Sequence, residues 1–267
     1  MSASQNVLKD LATSADETDR MLTGLSDDQW ARPTPAPGWT ITHQVAHISF
    51  IFRLAGTAAA DPAAFRAMTE HAKGDFDGAV NAALADYLPA PPQTVLERWR
   101  AERAAAIEAL AAVPAGQLVP WLVNPLPPAV LASAGIMETF AHGQDIADAL
   151  GIRREPTEWL RHLVGFAYLT RDFGYQSRGL TQPVEPFRWE LDAPSGELWT
   201  HGPLDATQKI TGPAHDLCLL VTRRRHRDDL ALTATGRQAD HWLDIAQAYR
   251  GPAGPGRAPG QFAHLRA

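Results

Sequence analysis

The chain has 267 residues, of which 45% are hydrophobic, and its formal net charge is −6 at pH 7. That length supports one large domain or two modest ones with proper cores, and the acidic balance argues against a nucleic acid or an anionic membrane as partner. No apolar run approaches the ~18 residues that span a bilayer, and no secretory signal precedes the first helical pattern. We therefore expect a cytoplasmic protein.

Four helical patterns fill the first half of the sequence, with apolar residues three and four positions apart. They lie at about residues 8–25, 40–54, 94–113 and 130–150. Thr94 and Glu97 have the spacing of a capping box, and Gly151 suits the end of a helix. Four such helices predict a four-helix bundle, a fold that builds metal sites from side chains facing its interior.

Residues 58–92 form an insertion between two of these helices. It holds two short helical patterns, at 63–71 and 79–87, and it ends in the proline-rich stretch 89–92. Long connections with structure of their own are often functional. We interpret this insertion as a segment that shapes a substrate mouth.

The second half of the sequence predicts a smaller α+β fold. Helical patterns lie at 156–168, 213–225 and 238–249, and strand patterns lie at 188–192, 197–200, 208–211 and 230–235. Residues 193–196 have the composition of a hairpin turn between the first two strands. We predict a bundle domain at 1–151, an α+β domain at 152–250 and a glycine- and proline-rich flexible tail at 251–267.

Glu138 and His142 give the strongest chemical signal. They lie four residues apart in the fourth helical pattern, so their side chains share one helical face, and His47 on the second helix offers a third donor. Two imidazoles and a carboxylate suit zinc, and three protein ligands leave one coordination position open for chemistry. Spacing alone leaves two interpretations, a metal site or a chance placement of structural histidines.

Two neighbouring residues are candidates for catalytic roles. His43 is one turn before His47, and it is a fourth ligand, a proton shuttle or a surface residue. A fourth protein ligand would close the site and favour a structural metal. Asp145 follows His142 by three residues and is a candidate acceptor that orients the imidazole; the alternative is a polar residue near the helix end.

The single cysteine, Cys218, lies in the apolar run 217–221. One cysteine excludes an internal disulfide framework. Burial among apolar side chains raises the pKa of a thiol and suppresses its reactivity. We therefore expect Cys218 to be a buried, inert thiol, and the chain offers no other convincing nucleophile.

Two stretches carry a family resemblance. Residues 37–40, PGWT, lead to His47, and residues 137–150 read METFAHGQDIADAL. Together they resemble the DinB-like metalloproteins, and within them the mycothiol-dependent maleylpyruvate isomerase group of actinobacteria. Residues 199–229 are similar to the second domain of an actinobacterial subgroup. The resemblance covers nearly the whole chain to about Gly251.

This resemblance implies a four-helix bundle that holds a divalent metal, usually zinc. The ligands carried over to this sequence are His47, Glu138 and His142. The family pattern places the ligand of the second helix at the later histidine, so it favours a non-ligand role for His43. Mycothiol is the thiol cosubstrate that the resemblance implies.

The resemblance also implies that the C-terminal domain is sterol-carrier-like, closes over the metal and supplies a catalytic arginine. The nearest counterpart is Arg224, with Arg223 or Arg225 as alternatives. The isomerase lacks this triple-arginine run in the aligned stretch, so the carry-over departs from the family pattern here.

Three hypotheses for the function remain open. The leading one is a metal-dependent, mycothiol-using transferase or isomerase, in which Arg224 pairs with a carboxylate of a small electrophilic substrate. The second is a thiol-independent hydrolase, lyase or cyclase of secondary metabolism that uses the metal directly. The third is a non-enzymatic ligand-binding protein with a structural metal. Each needs a small-molecule partner, and none needs a nucleic acid or a membrane.

Overall fold

The computed structural model describes residues 3–70 and 76–265. The chain divides into two compact units, Met1–Arg153 and Arg154–Ala267. This boundary lies two residues beyond the domain boundary that the sequence predicts at 151. No helix in the described part of the chain is both long enough and apolar enough to cross a membrane.

In the described part of the first unit, four long helices form the framework, and three short ones accompany them. The helices are α1 (Ala3–Leu22), α2 (Asp27–Trp30), α3 (Ile41–Ala60), α4 (Pro62–Thr69), α5 (Phe76–Leu84), α6 (Pro92–Ala112) and α7 (Pro128–Leu150). Both α3 and α1 pack against α6 and α7. Leu11, Ile48, Trp99 and Phe140, one from each long helix, are buried in the core between them. The predicted four-helix bundle is confirmed.

Prolines and a glycine set the ends of two bundle helices. Helix α7 begins at Pro128 and ends before Gly151, whose φ of 70° gives the left-handed conformation that favours glycine at a helix C-terminus. Helix α6 begins at Pro92, two residues before the predicted start at Thr94, and no side-chain cap precedes it. The predicted capping box is therefore wrong. Proline stabilises the first turn because its fixed φ is helical and its missing N–H needs no partner there.

The insertion forms α4 and α5. The predicted 63–71 helix corresponds to α4, although its last predicted residue lies outside the described residues, and the predicted 79–87 helix corresponds to α5, which ends at Leu84. Leu84 and Tyr87 are buried against Ala46 of α3, and Trp39 packs at the edge of this cluster. The insertion thus covers the part of α3 that follows the loop carrying Trp39.

The second unit is the predicted α+β fold. Its elements are α8 (Leu160–Leu169), α9 (Phe173–Gln176), β1 (Phe187–Asp192), β2 (Leu198–His201), β3 (Gln208–Pro213), α10 (Ala214–Val221), β4 (Thr233–Thr235) and α11 (Arg237–Ile245). The sheet order is β2-β1-β3-β4. The β1–β2 pair is the predicted antiparallel hairpin, β1 and β3 are parallel, and β3 and β4 are antiparallel. Trp189 of β1 lies opposite Ile210 of β3, and both are fully buried.

The segment after Gly251 has contacts with the rest of the second unit. Phe262 is buried, and the guanidinium of Arg225 lies 3.9 Å from the centre of its ring. The Gly260 N–H donates to the Asp229 carboxylate at 3.0 Å. These contacts attach the segment to the second unit, as does a hydrogen bond from Arg223 Nη2 to the Gly254 carbonyl, while its flexibility stays a prediction.

Candidate metal centre

Three side chains with metal-binding atoms meet inside the bundle. His47 lies on α3, and Glu138 and His142 lie one turn apart on α7. Glu138 Oε2 is 3.3 Å from His142 Nε2 and 3.6 Å from His47 Nε2. One donor atom of each residue lies within 4.8 Å of the others, and no second group of this kind is found among the described residues. The three predicted ligands are thus brought together, and metal binding itself stays a prediction.

The donor set suits a divalent cation. Two imidazole nitrogens and one carboxylate oxygen are the mixed ligands that zinc accepts in a site with an open position, and nickel, iron and manganese accept the same donors. The side chains of His47, Glu138 and His142 expose 11%, 19% and 12% of their surface. The centre is therefore largely enclosed but within reach of a small ligand.

The Glu138 carboxyl group is held in its charged form. Burial raises its pKa, but the hydrogen bonds and charges of His142 and His47 outweigh burial and hold the pKa well below its usual range. The result is a buried carboxylate faced by two imidazoles. Buried charges are normally paired or coordinate a metal, so this arrangement favours a cation between the three side chains.

Trp39 covers one side of the two imidazoles. Its ring centre lies 5.4 Å from that of His47 and 6.0 Å from that of His142, and its plane is tilted by only 23° from the second. The two imidazole centres are themselves 4.5 Å apart. The half-buried indole also packs against the cluster that contains Leu84 and Tyr87 of the insertion. Trp39 therefore links the insertion to the two candidate ligands.

Gln44 is a site residue that sequence reasoning missed. Its side chain is fully buried, and its Oε1 lies 2.5 Å from His142 Nδ1. Its Nε2 donates to Thr34 Oγ1 at 2.8 Å. A signal was present, because Gln44 precedes His47 by three residues and therefore shares its helical face. A glutamine on a bundle helix is nonetheless too common to be singled out without its partner.

His43 is not part of the ligand group. Its Nδ1 accepts the Thr40 N–H at 3.3 Å, a contact at the first turn of α3. Burial lowers the pKa of His43, which favours the neutral imidazole. Asp145 is fully buried on α7, one turn beyond His142. The catalytic roles of His43 and Asp145 stay predictions.

Arg224, the third catalytic candidate, belongs to the second unit. Its Nη1 donates to the Thr222 carbonyl at 2.6 Å, just after the end of α10. Arg223 has a left-handed φ of 59°, and the Nη1 of Arg225 donates to the Arg224 carbonyl at 2.7 Å. The run is thus folded tightly onto its own backbone. The catalytic role of Arg224 stays a prediction.

Cys218 is fully buried on α10. Burial raises the pKa of its thiol well above the ordinary value, and the nearby Asp216 charge raises it further. The thiolate, which is the nucleophilic form, is therefore suppressed, as the sequence predicts. A thiol that takes part in chemistry at the centre has to come from another molecule.

Comparisons with known proteins agree with this picture. Residues 11–147 match the family described as the mycothiol maleylpyruvate isomerase N-terminal domain, and residues 183–235 match the family described as wyosine base formation. Two proteins from strains of Mycobacterium tuberculosis, named Uncharacterized protein Rv0036c and Uncharacterized protein MT0041, are each 44% identical to the chain. Each alignment covers 93% of this chain and 96% of the relative.

Solved structures support the fold. The crystal structure of the mycothiol-dependent maleylpyruvate isomerase is similar with a TM-score of 0.55, covering 82% of this chain and 88% of that one at 15% identity. A histidine-to-alanine mutant of that enzyme gives the same TM-score at 14% identity. The family match spans the bundle and includes all three candidate ligands. The chain therefore belongs to the mycothiol maleylpyruvate isomerase family defined by this N-terminal domain.

Proposed function

We propose that the protein is a divalent-metal-dependent enzyme, with zinc as the preferred ion, that uses mycothiol to isomerise or transfer a group on a small electrophilic substrate. The observation that carries the proposal is the enclosed group of His47, Glu138 and His142 within the family match. The structural relative is mycothiol-dependent and acts on maleylpyruvate, which names the first thiol and substrate to test. The expected partners are small molecules, and the expected compartment is the cytoplasm.

The fit of a metal rests on charge and on donor chemistry. The Glu138 carboxylate is the one anion of the group, and its low pKa keeps it deprotonated near neutral pH. His47 and His142 each turn Nε2 toward it. When bound, a divalent ion supplies Lewis acidity, which favours the thiolate form of a thiol cosubstrate.

The residues of this chain hold and screen the reacting groups. Trp39 lies against both imidazoles and keeps water from that side. Low water content strengthens every electrostatic interaction at the centre. Because Cys218 is buried with a raised pKa, the nucleophilic sulfur is assigned to mycothiol.

Three further residues complete the proposal. Arg224 pairs with a carboxylate of the substrate or of mycothiol, a role that suits the planar guanidinium. His43 relays protons in its neutral form, and Asp145, on the same face of α7, assists Gln44 in holding His142. The two competing functions are a thiol-independent reaction at the metal and a non-enzymatic role. The experiments below distinguish them from this proposal.

The first experiment measures bound metal. The wild type, His47→Ala and His142→Ala are loaded with zinc, washed free of excess ion and analysed by elemental mass spectrometry. We expect about one ion per chain in the wild type and loss of most of it in both variants, because each removes one of three protein ligands. His43→Asn is the matched control on α3 and should keep its ion. Metal-free wild type after loading, or equal loss in His43→Asn, contradicts the ligand assignment.

The second experiment measures thiol dependence. Zinc-loaded wild type is assayed with maleylpyruvate in the presence and absence of mycothiol. We expect turnover only with the thiol. Equal turnover without any thiol contradicts the cosubstrate and favours direct use of the metal, whereas bound zinc without turnover of any electrophile tested favours a structural metal.

A further inference from the structure

We propose that Gln44 is the positioning residue of the metal centre: its side-chain oxygen fixes His142 in the tautomer that carries its proton on Nδ1 and leaves Nε2 with a lone pair. The inference rests on the proposed metal-dependent function and deepens it. It concerns how one ligand is prepared before an ion arrives. Residues that orient ligating histidines commonly decide metal affinity.

The direction of a chain of hydrogen bonds supports this assignment. The Trp39 carbonyl is only an acceptor, and Thr34 Oγ1 lies 2.9 Å from it as the donor. The Thr34 hydroxyl has one proton, so while it donates to Trp39 it accepts the bond from the Gln44 side chain at 2.8 Å. Only the amide NH₂ of Gln44 can donate there. The carbonyl oxygen of Gln44 therefore faces His142, and the orientation of the amide is set by the network.

The tautomer of His142 follows from this direction. Gln44 Oε1 can only accept, so His142 Nδ1, at 2.5 Å, has to be the donor. In the neutral imidazole, Nε2 is then an acceptor, and it lies 3.3 Å from the Glu138 carboxylate oxygen. Both atoms can then act as ligands of one cation placed between them. The network thus prepares Nε2 as a metal ligand.

The two imidazoles of the centre differ in how they are held. His142 is fixed at Nδ1 by Gln44 and lies nearly parallel to the Trp39 ring. His47 Nδ1 is buried and has no hydrogen-bond partner among the described residues. The orientation of His142 is therefore set by a polar contact, and that of His47 by packing. Loss of the Gln44 oxygen should affect one ligand and leave the other in place.

Two substitutions of Gln44 separate the role of the oxygen from that of packing. Gln44→Leu keeps a similar volume and removes the acceptor. Gln44→Glu keeps an acceptor toward His142. Thr34 can turn its hydroxyl proton toward the new carboxylate, because the Trp39 carbonyl still accepts the Thr34 N–H at 2.8 Å. Thr34→Val removes the hydroxyl that orients the amide. A role in packing alone predicts no difference between the Leu and Glu variants beyond stability.

The first measurement needs no metal. Nitrogen-15 NMR of the imidazoles in the metal-free, full-length protein reports which ring nitrogen carries the proton. We expect His142 to carry it on Nδ1 in the wild type and in Gln44→Glu. In Gln44→Leu and Thr34→Val we expect a mixture of tautomers, or protonation on Nε2.

The second measurement is zinc affinity by competition with a chelator. We expect Gln44→Leu to bind zinc about 10–100-fold more weakly than the wild type, the range typical for loss of a residue that orients a ligating histidine. Gln44→Glu should restore most of this loss, and Thr34→Val should lie between. If Gln44→Leu does not fold, the inference is tested by Thr34→Val, which should bind zinc more weakly than the wild type, and by Gln44→Glu, which should bind it more tightly than Thr34→Val.

Two results overturn the inference. One is wild-type His142 that carries no proton on Nδ1 in the metal-free protein, and the other is unchanged zinc affinity in both Gln44→Leu and Thr34→Val. Failure of the proposed function looks different, since the wild type itself would then not bind zinc. The NMR result stands in that case, because it is measured without metal.

Discussion

The two units of the chain use their polar groups differently. In the first, buried polar side chains converge, so that His47 and His142 face one carboxylate and Gln44 contacts His142. In the second, charged side chains bind backbone and aromatic rings. Arg178 donates to the Ile245 carbonyl at 3.0 Å, and the guanidinium of Arg250 lies 4.3 Å from the centre of the Phe173 ring.

This contrast indicates where chemistry is to be expected. A buried carboxylate that faces two imidazoles, and whose charge only a cation can balance, lowers the stability of the fold. Its presence in the first unit therefore favours a function. Arginines that attach loops and turns are sufficiently explained by the fold of the second unit. A substrate role for Arg224 therefore needs direct evidence, whereas the grouping of His47, Glu138 and His142 follows from geometry. Substitutions in each unit test this difference.

The largest effect is expected for Glu138→Gln. The amide has nearly the same shape as the carboxylate but no charge, and it removes the one anion that faces the two imidazoles. We expect zinc affinity, measured by chelator competition, to fall by at least 100-fold, or about 2.8 kcal/mol at 1.4 kcal/mol for each factor of ten. The helical content, measured by circular dichroism, should not change.

Asp240→Asn is the control for this substitution in the second unit. Asp240 accepts a hydrogen bond from Arg227 at 2.7 Å in an exposed ion pair. Its loss should leave zinc binding at the wild-type value, because none of the three candidate ligands lies in that unit. Equal weakening by both variants would mean that the contrast between the units is wrong.

A smaller effect, confined to the second unit, is expected for Gly202→Ala. Gly202 has a φ of 83°, and an added Cβ would overlap the Phe187 carbonyl oxygen and the Tyr168 hydroxyl. Strain and overlap with backbone together should lower the free energy of unfolding by about 2 kcal/mol, in the range of clearly destabilising point mutations. Urea unfolding followed by tryptophan fluorescence measures this change.

Gly196→Ala isolates the overlap from the backbone strain. Gly196 has nearly the same φ, 85°, but an added Cβ there would meet nothing within 4 Å. We expect a loss of about 1 kcal/mol, the cost of a left-handed non-glycine residue. Both variants should bind one zinc ion per folded chain. A Gly202→Ala variant that is no less stable than Gly196→Ala would exclude the close approach at Phe187.

The sequence predicts the parts of the centre that depend on local spacing. Glu138 and His142 share a face of α7 whatever surrounds the helix, because four residues make about one turn. His47 lies 91 positions before Glu138 in the sequence, and its contact with α7 exists only after the bundle has packed. Its assignment therefore needed the family resemblance.

The role of Gln44 could not be predicted from sequence for a related reason. It depends on the loop after α2, which returns Thr34 and the Trp39 carbonyl to the first turns of α3 through hydrogen bonds between Thr34 and Trp39. Loops of this kind have no periodic pattern. The start of α6 was predicted wrongly for another reason. A proline two residues before Thr94 begins the helix, and this start needs no side-chain cap.

The smallest effect is expected for Arg223→Gly. Arg223 is the one described residue other than glycine with a positive φ, 59°, and this conformation costs about 1 kcal/mol for a residue with a Cβ. Glycine relieves that strain at the end of α10 but loses the exposed hydrogen bond from Arg223 Nη2 to the Gly254 carbonyl, 3.2 Å long. We expect a net gain of about 0.5 kcal/mol in the free energy of unfolding, since an exposed bond of this kind contributes little. Arg223→Ala, which loses the bond but keeps the strain, should be slightly less stable than the wild type. A Gly variant less stable than the Ala variant would mean that the arginine backbone is unstrained and that the contact with the 251–265 segment matters more than the turn.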